Sequence, residues 1–505
     1  MTDGDTSRAG AGASDLRERS LRSVFWVAAL QLLVGALQFG APLALSYLIS
    51  PAELGLVELA LAVVGLGVVV VELGTGPAVV QRGQLDDRFV STVFWVNVAS
   101  GLAWAALLAA AAPPLAALMG GDVRLVPLLW GVAAGLVLSS LGIVPRALLV
   151  RRMEFRRVTL ATSLAVVGAA VAGGYGLARH GVLGVAWGFL AFASLNSLAV
   201  WIGAAFRPAA RPRASEVAPL LRFGGSAFGA TAGDRLAQQL ERFLIAGFLG
   251  PGSLGIFALA RSLIRDPLRR LMSVFDDILF PGLAQLQGEP ARARRYYLTA
   301  LRYELAIFGP AVVFIAVFAD ALVRLLYGPD WQGAAIIAQL LALQTWRTIT
   351  SHSIGAVFLS QGRPDVRLRW VVISIGLVPV TFAAGRPWGL PGYALSCSLV
   401  GFVGWAISHT MANRLIGLDW AGFWRAIRRP LLSHVVFAAL LLGLRLALGE
   451  RLAAEPGLAG LALVPALLGY LALLATLDRP LLRGVVTSTR EALRLRSGRA
   501  PTPAE

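Results

Sequence analysis

The chain has 505 residues, of which 57% are hydrophobic and 14% are charged. An ordinary soluble domain is about half apolar and about a quarter charged, so this composition excludes a water-soluble globular protein and predicts a multispanning membrane protein. The formal net charge is +17, and all 45 basic residues are arginine. Without lysine the chain can form neither a Walker A nucleotide-binding loop nor a lysine Schiff base.

Cysteine and histidine usage points away from disulfide and metal chemistry. Cys397 is the single cysteine, so no disulfide can form within the chain. The four histidines are scattered and show none of the spacings typical of metal ligands. We therefore expect neither a metal nor another cofactor.

Long apolar stretches recur along the whole chain. A helix needs about 20 apolar residues to cross the hydrocarbon core of a bilayer. On that basis the sequence contains fourteen candidate spans, at 24–48, 54–76, 91–112, 125–147, 158–178, 182–205, 223–248, 253–279, 301–326, 333–359, 370–385, 390–412, 431–448 and 457–477. The predicted fold class is an all-α polytopic membrane protein with about 14 transmembrane helices.

The arginines predict the orientation of these spans. They are concentrated in the loops of one side, such as 151–157 and 425–429, whereas the opposite loops carry few, among them Arg124 and Arg179. By the positive-inside rule both termini are cytoplasmic. The loops of the outer side are short, which disfavours a membrane glycan polymerase or ligase, because such enzymes need an external acceptor-binding region.

An internal repeat organises the chain. The segment Ser50–Leu56 recurs as Gly250–Ile256, an offset of 200 residues that also relates Gln38 to Gln238, and Gly181–Ala186 is echoed later in the chain. Six spans separate corresponding points, so the two halves have the same orientation and are parallel repeats. Two-lobed transporters of this kind bind substrate between the lobes and rock one lobe against the other.

The repeat predicts two six-helix lobes followed by two extra helices. The segments in chain order are a cytoplasmic N-terminal segment (1–23), an N-terminal lobe (24–206), a cytoplasmic linker (207–222), a C-terminal lobe (223–413), an interfacial amphipathic segment (414–430), two extra transmembrane helices (431–477) and a cytoplasmic basic tail (478–505). Tryptophan and arginine in the interfacial segment suit anionic lipid headgroups, although a solvated connector is the alternative.

Charged and polar side chains within the spans are the candidate functional residues. A charge at the centre of a bilayer costs at least about 2.5–3.5 kcal/mol, so it marks a polar cavity or an internal partner. The candidate substrate-binding residues are Arg235, Arg261, Arg265, Gln38, Gln238 and Arg347. The candidate ion- or proton-coupling residues are Glu58, Asp234 and Glu241.

Internal ion pairing is the alternative explanation for these charges. Asp266 with Arg270, and Asp320 with Arg324, are spaced four residues apart and predict structural pairs. The three candidate arginines at 235, 261 and 265 have no carboxylate at that spacing on their own helix, although Asp234 or Glu241 could reach them from another helix. Because guanidinium binds phosphate bidentately, a cavity lined by arginine favours a phosphate-bearing substrate, whereas an exporter of cationic drugs would place carboxylates there.

Several short motifs carry a resemblance to a known family. They are Glu72–Arg82, Ser91–Asn97, Pro145–Leu149, Met153–Phe155, Leu279–Pro281, Tyr327–Trp331 and Gln361–Pro364. In their order and spacing the chain, over roughly residues 20–430, resembles the oligosaccharide flippase (polysaccharide transporter) family of the multidrug/oligosaccharidyl-lipid/polysaccharide exporter superfamily. It is closest to the lipopolysaccharide-biosynthesis branch that includes the colanic acid exporter.

The resemblance implies a flippase rather than an enzyme, with no catalytic residues and no cofactor. The implied substrate is a polyprenyl (undecaprenyl)-diphosphate-linked oligosaccharide, moved from the cytoplasmic to the outer leaflet of a bacterial inner membrane. The implied partners are membrane lipids, a polysaccharide polymerase and glycosyltransferases, with no nucleic acid. A multidrug cation antiporter or a lipid II flippase of the same superfamily is the alternative, and a membrane glycan polymerase or ligase is the alternative of another class.

Overall fold

The computed structural model describes residues 40–72, 74–82, 85–208, 214–449 and 457–479, together with the single residues 35, 451, 455 and 481. Over these residues the ordered elements are helices, and none of the described residues lies in a strand. The all-α prediction is therefore confirmed. The described chain divides into two compact units, the first ending at Gly255 and the second beginning at Ile256.

The described residues of the first unit form seven α-helices that follow a short helical stretch at 40–46. They are α1 (Pro51–Glu72), α2 (Thr75–Gln81), α3 (Asp87–Leu118), α4 (Leu125–Arg151), α5 (Phe155–His180), α6 (Val185–Ala204) and α7 (Ala214–Leu249). Consecutive helices pack side by side, with α4 against both α3 and α6, and α5 against α6. Short connections explain the packing of α3 against α4 and of α5 against α6, whereas the packing of α4 against α6 joins helices that do not follow each other in sequence.

The second unit continues from a helix that begins in the first. Its helices are α8 (Pro251–Gln285), α9 (Pro290–Tyr327), α10 (Gly333–His352), α11 (Ile354–Ser360), α12 (Pro364–Gly385), α13 (Gly389–Leu415), α14 (Trp420–Leu448) and α15 (Gly457–Leu477). Helix α9 packs against α10 and α14, and α13 packs against α10 and α12. Helix α15 packs against α9 and α14, so the two extra C-terminal helices belong to this unit.

Eight stretches among the described residues are long and apolar enough to cross a membrane. Helices α7, α8 and α10 coincide with predicted spans but are not among the eight, because polar and charged residues interrupt their apolar runs. The first predicted span, 24–48, lies largely outside the described residues. The total of fourteen spans therefore stays a prediction.

Many large apolar side chains of the described helices are exposed. Ile202 is 73% exposed, Leu461 is 74% exposed and Leu446 is 81% exposed. Monomeric soluble proteins rarely show contiguous apolar surface of this kind. Lipid acyl chains are the environment that such a surface requires.

The division between the units falls after Gly255, whereas the repeat places a linker at 207–222. Helix α7, assigned by the repeat to the C-terminal lobe, packs against α1, α2 and α3 of the first unit. The first turn of α8 is also part of this unit. Packing of α7, rather than the arginine-rich connection before it, decides where the compact units divide.

The two copies of the repeated segment approach each other within the first unit. A Cβ atom at Gly55 would lie 1.9 Å from the carbonyl oxygen of Pro251, and one at Gly255 would lie 1.9 Å from the carbonyl oxygen of Pro51. Glycine is needed at both positions because any side chain would meet helix backbone. The reciprocal contact explains why the two segments share a Pro-x-x-x-Gly pattern.

A charged cluster surrounds the start of α1. Ser50 and Glu53 form a capping box, in which the Ser50 amide donates to Glu53 Oε2 at 3.0 Å and the Glu53 amide donates to Ser50 Oγ at 3.3 Å. Arg124 bridges Glu53 at 3.0 Å and Asp122 at 2.8 Å. The hydrogen bond from Arg124 lowers the pKa of Asp122. The contact therefore stabilises the folded protein fully at a pH above the ordinary pKa of aspartate. This stabilisation is lost as the pH falls through the lowered pKa.

The predicted interfacial segment continues into the first extra span as one helix. Helix α14 runs without a break from Trp420 to Leu448, and the Gly422 amide donates to Oδ1 of its N-cap residue Asp419 at 3.2 Å. His434 fixes this helix to its neighbours. The indole of Trp346 donates to His434 Nδ1 at 3.2 Å, so the ring proton lies on Nε2, which donates to the Leu305 carbonyl at 3.1 Å.

One ion pair predicted within a helix is instead formed between helices. Asp320 Oδ2 lies 3.0 Å from Arg445 on α14, so the expectation that it pairs with Arg324 is wrong. Helix α9 packs against α14, which brings Arg445 to the carboxylate. A second pair joins Arg302 of the same helix to the fully buried Asp478 at 2.7 Å and ties the end of α15 to the unit.

Alanine at Gly55 should destabilise the first unit, because its Cβ would meet the backbone of Pro251 and helix backbone cannot easily move aside. We expect a loss of about 1–3 kcal/mol in the free energy of unfolding, measured as a lower melting temperature of the purified chain in detergent. Gly443→Ala in α14 is the matched control, because nothing lies within 4 Å of a Cβ there. Equal melting temperatures for Gly55→Ala and the wild type would contradict the close crossing.

Candidate functional site

The first unit contains an interrupted span whose break carries a carboxylate. Helix α1 ends at Glu72 and α2 begins at Thr75, and Gly74 between them has a φ of 72°, a conformation that favours glycine. The Thr75 hydroxyl lies 2.6 Å from the Glu72 carbonyl and 2.9 Å from Asn97 Oδ1. Discontinuous helices of this kind are typical of binding sites in membrane transporters.

Two arginines act on the carboxylate at this break. Glu72 is half-buried, and both Arg146 and Arg235 are within electrostatic range of it, while their own side chains are exposed. Arg235 is a predicted site residue. Arg146 was missed by the sequence reasoning, because its place at the end of a predicted span is also the usual place of an arginine that reaches the membrane surface.

A second polar group of the first unit ties α1 to α7. Glu58 Oε2 lies 3.2 Å from Arg242 Nε, and Arg242 Nη1 donates to Gln239 Oε1 at 2.9 Å. A Cβ at Gly65 would lie 2.8 Å from the Gln239 side chain, so glycine makes room for this group. Glu58, predicted as a coupling residue, is therefore held by an arginine of the same unit.

The other predicted residues of this unit lie along α7. Asp234 and Gln238 are half-buried, and Glu241 is buried with 8% of its surface exposed. All three interact with other groups of the protein. Gln38, the partner of Gln238 in the repeat, lies outside the described residues.

The second unit contains the remaining predicted arginines. Arg261 is buried, and its Nε lies 3.6 Å from Oδ2 of Asp266 on the same helix, five residues further on. A separation of five residues is not the four-residue spacing typical of ion pairs within a helix, so the sequence pattern does not predict this pair. The side chain of Arg270, the partner predicted for Asp266, is not among those described.

Arg265 and Arg347 form a group of like charges in the second unit. Both are half-buried, and Arg265 on α8 is within electrostatic range of Arg347 on α10. Arg347 packs over Gly401, where a Cβ would lie 2.7 Å from its Nη2. Like charges within electrostatic range repel each other, so an anion close to both would lower the electrostatic energy of this group.

A fully buried carboxylate of the second unit was also missed. Glu304 on α9 is 0% exposed, and the Ser353 hydroxyl, at the break between α10 and α11, donates to its Oε1 at 2.5 Å. Glu304 lies three residues inside a predicted span, and a carboxylate in that position is the sequence feature that could have indicated a buried polar group. Among the described residues no group of three histidine, cysteine or acidic side chains could hold a metal ion.

The sequence matches the family described as "Polysaccharide biosynthesis protein" over residues 44–336. This match covers more than half of the chain, and the chain belongs to that family. The family expected from the motifs is thereby confirmed, and with it the class of a multi-pass membrane protein.

Curated relatives agree with this assignment. The chain is 23% identical to the lipopolysaccharide biosynthesis protein WzxC of Escherichia coli over 427 residues, which cover 82% of this chain and 85% of the relative. It is 26% identical to the succinoglycan biosynthesis transport protein ExoT of Rhizobium meliloti over 439 residues, which cover 84% and 85%.

Solved structures show the same fold at low sequence identity. The lipid II flippase MurJ in an inward closed conformation aligns with a TM-score of 0.73 at 14% identity, covering 90% of this chain and 99% of that chain. An inward-facing multidrug resistance MATE family transporter aligns with a TM-score of 0.60 at 16% identity, covering 78% and 98%. At these identities the likeness shows a shared fold.

The pair between Glu58 and Arg242 should contribute to stability. We expect Glu58→Gln and Arg242→Gln each to lower the free energy of unfolding. The double variant should lose less stability than the sum of the two single losses, and the difference, the coupling energy, should be about 0.5–3 kcal/mol. Unfolding of the purified chain in detergent measures all four members of the cycle. The exposed pair Glu289 and Arg292, at 2.9 Å, is the matched control and should couple by about 0.2–1 kcal/mol.

A coupling between Glu58 and Arg242 no larger than that of the exposed pair would refute this structural role. Such a result would strengthen Glu58 as a candidate for ion or proton coupling.

Proposed function

We propose that this chain is a flippase for a polyprenyl-diphosphate-linked oligosaccharide in surface polysaccharide biosynthesis. The substrate would move from the cytoplasmic to the outer leaflet of a bacterial inner membrane, with both termini of the protein in the cytoplasm. Membership of the polysaccharide biosynthesis family and the relative named as a succinoglycan transport protein support this proposal. The fold shared with a lipid II flippase supports it as well.

The neighbouring charges of Arg265 and Arg347 are the observation that carries the substrate class. Each is half-buried within the second unit, and each repels the other. A diphosphate group carries two or more negative charges in total and has several acceptor oxygens. It can therefore accept hydrogen bonds from both guanidinium groups and relieve their repulsion. Arginine does not deprotonate at physiological pH, so this attraction persists throughout a transport cycle.

Arg235 is the corresponding candidate in the first unit. It shares the surroundings of Glu72 with Arg146, and both arginines are exposed. Arg261, which lies 3.6 Å from Asp266, would contribute less to substrate binding because its charge is partly neutralised. Gln38 and Gln238 stay candidates for hydrogen bonds to sugar hydroxyls.

The proposed mechanism is alternating access of the two repeated halves. The arginines would attract the diphosphate, the sugars would follow it through a polar cavity, and the prenyl tail would stay in lipid. Because the sequence has no Walker A lysine, the drive would come from an ion gradient, the membrane potential or consumption of the product. An inside-negative potential favours outward movement of negative charge by about 2.3 kcal/mol per charge per 100 mV.

Asp234 and Glu241 are the coupling candidates that stay open in this scheme. Glu58 is a weaker candidate, because Arg242 already neutralises it. Glycosyltransferases would supply the substrate, and a polysaccharide polymerase would consume it. These partners are part of the proposal.

Two other transport functions compete with this one. A multidrug cation antiporter would need carboxylates accessible to cations, whereas Glu58 and Asp266 each lie against an arginine. A lipid II flippase also carries a diphosphate, so the arginines alone do not distinguish it. A glycan polymerase or ligase would need catalytic residues in external loops, and the predicted outer loops are short.

Substitution of Arg265 or Arg347 by glutamine should impair export. A hydrogen bond to a charged group contributes about 1.5–3 kcal/mol, so we expect a loss of roughly 10- to 100-fold in transport at low substrate levels. The measurement is the accumulation of lipid-linked oligosaccharide in the cytoplasmic leaflet of cells that contain equal amounts of each variant. Arg369→Gln is the matched control, because that side chain is 72% exposed and lies 3.8 Å from Asp365.

Normal export by both variants would refute the anion-binding role of these arginines. Accumulation of peptidoglycan precursor on depletion of the chain would indicate the lipid II flippase instead. Loss of drug resistance with unchanged surface polysaccharide would indicate the cation antiporter.

A further inference from the structure

A pocket of about 340 Å³ opens in the second unit between the start of α9 and the connection from α13 to α14. This volume lies at the small end of the range typical of small-molecule sites. The pocket is lined by Arg294, Leu298, Leu418, Asp419, Gly422 and Arg425. None of these is among the substrate or coupling candidates, so the pocket needs its own explanation.

Two arginines from different helices face this pocket. Arg294 on α9 is half-buried, and its Nη1 donates to the Gly417 carbonyl at 2.8 Å, which fixes the side chain. Arg425 on α14 is exposed, and its Nε donates to the Ala421 carbonyl at 3.2 Å. A guanidinium has five N–H donors, so both side chains keep donors for a further acceptor.

The start of α14 adds little attraction of its own for an anion. The Gly422 amide already donates to Asp419, and the Asp419 carboxylate lies 4.0 Å from Arg425 and opposes negative charge. The attraction therefore comes from the two guanidinium groups. It is weakened, but not cancelled, by the single carboxylate.

The surroundings of the pocket match a membrane interface. Trp405 and Trp424 pack together at a centroid distance of 5.9 Å, and Trp424 is exposed. Arg428 and Arg429 are also exposed on the same turns of α14. Tryptophan and arginine together are typical of the interface on the cytoplasmic side, where the arginine distribution also places this segment.

The lining distinguishes a lipid from a free anion. Leu298 and Leu418 add apolar atoms to a lining that is otherwise polar, which suits a molecule with both a phosphate and a hydrocarbon part. Free phosphate would gain nothing from the leucines. Basic pockets between membrane helices on the cytoplasmic side are typical binding sites for anionic lipid headgroups.

We propose that this pocket binds the phosphate headgroup of an anionic phospholipid from the adjacent leaflet. The two guanidinium groups hold the phosphate, and the leucines contact the glycerol and the first acyl carbons. This site is independent of the transported substrate. It anchors the junction of α9 and α14 to the membrane surface.

Native mass spectrometry of the full-length chain in detergent, titrated with dioleoyl phosphatidylglycerol, tests the proposal. Each of Arg294→Gln and Arg425→Gln should weaken lipid binding about five-fold, and the double variant about 25-fold. Asp419→Asn should bind about two- to five-fold more tightly, because asparagine is an equally good N-cap and carries no charge. Arg156→Gln, an exposed arginine of the first unit, is the control and should leave binding unchanged.

Dioleoyl phosphatidylcholine and inorganic phosphate distinguish the sources of the phosphate. A lipid headgroup site is supported if the wild type prefers phosphatidylglycerol to phosphatidylcholine and the double variant does not. The preference of the wild type should also persist in millimolar inorganic phosphate. Competition by inorganic phosphate at an affinity equal to that of the lipid would overturn the assignment to a lipid. Equal phosphatidylglycerol binding by the wild type, the double variant and Asp419→Asn would remove the site.

Discussion

A charged side chain within a bilayer has no water to hydrate it, so the protein must supply the group that offsets its charge. The described part of this chain meets that requirement with ion pairs that also join helices. Glu58 with Arg242 connects α1 to α7, Asp320 with Arg445 connects α9 to α14, and Arg302 with Asp478 fastens the end of α15. Removing one member of such a pair leaves an uncompensated charge, so each pair constrains how its helices pack.

The same requirement separates the helices by role. Helices such as α3 and α4 are apolar enough to be recognised as spans, and their exposed residues suit lipid. Helices α7, α8 and α10 carry charged residues, as α9 and α14 also do, but they are less apolar. They depend on neighbours to shield those charges, and they contain most of the proposed substrate-binding residues. Under the proposed function, stability in lipid and affinity for a charged substrate make opposite demands on these helices.

Arginine side chains lie in three different kinds of surroundings in the described part of this protein. Arg242 neutralises a carboxylate of its own unit. Arg265 and Arg347 are like charges within electrostatic range of each other, and we propose that they attract the diphosphate of the substrate. Arg294 and Arg425 line the pocket that we propose for a lipid headgroup. An arginine in the sequence is therefore weak evidence for a binding site until its neighbours are known.

Apolar length and composition are local properties, so the helical class, most of the spans and the charges within them can be predicted from the amino-acid sequence. The order and spacing of short motifs likewise indicate the family. The tertiary structure decided which groups meet. Asp320 pairs with Arg445 rather than with Arg324, and Ser353 reaches Glu304, because packed helices bring together residues far apart in the chain. The break at Gly74 and the division after Gly255 also depend on packing. A pattern along one helix contains no information about the side chains that neighbouring helices present to it.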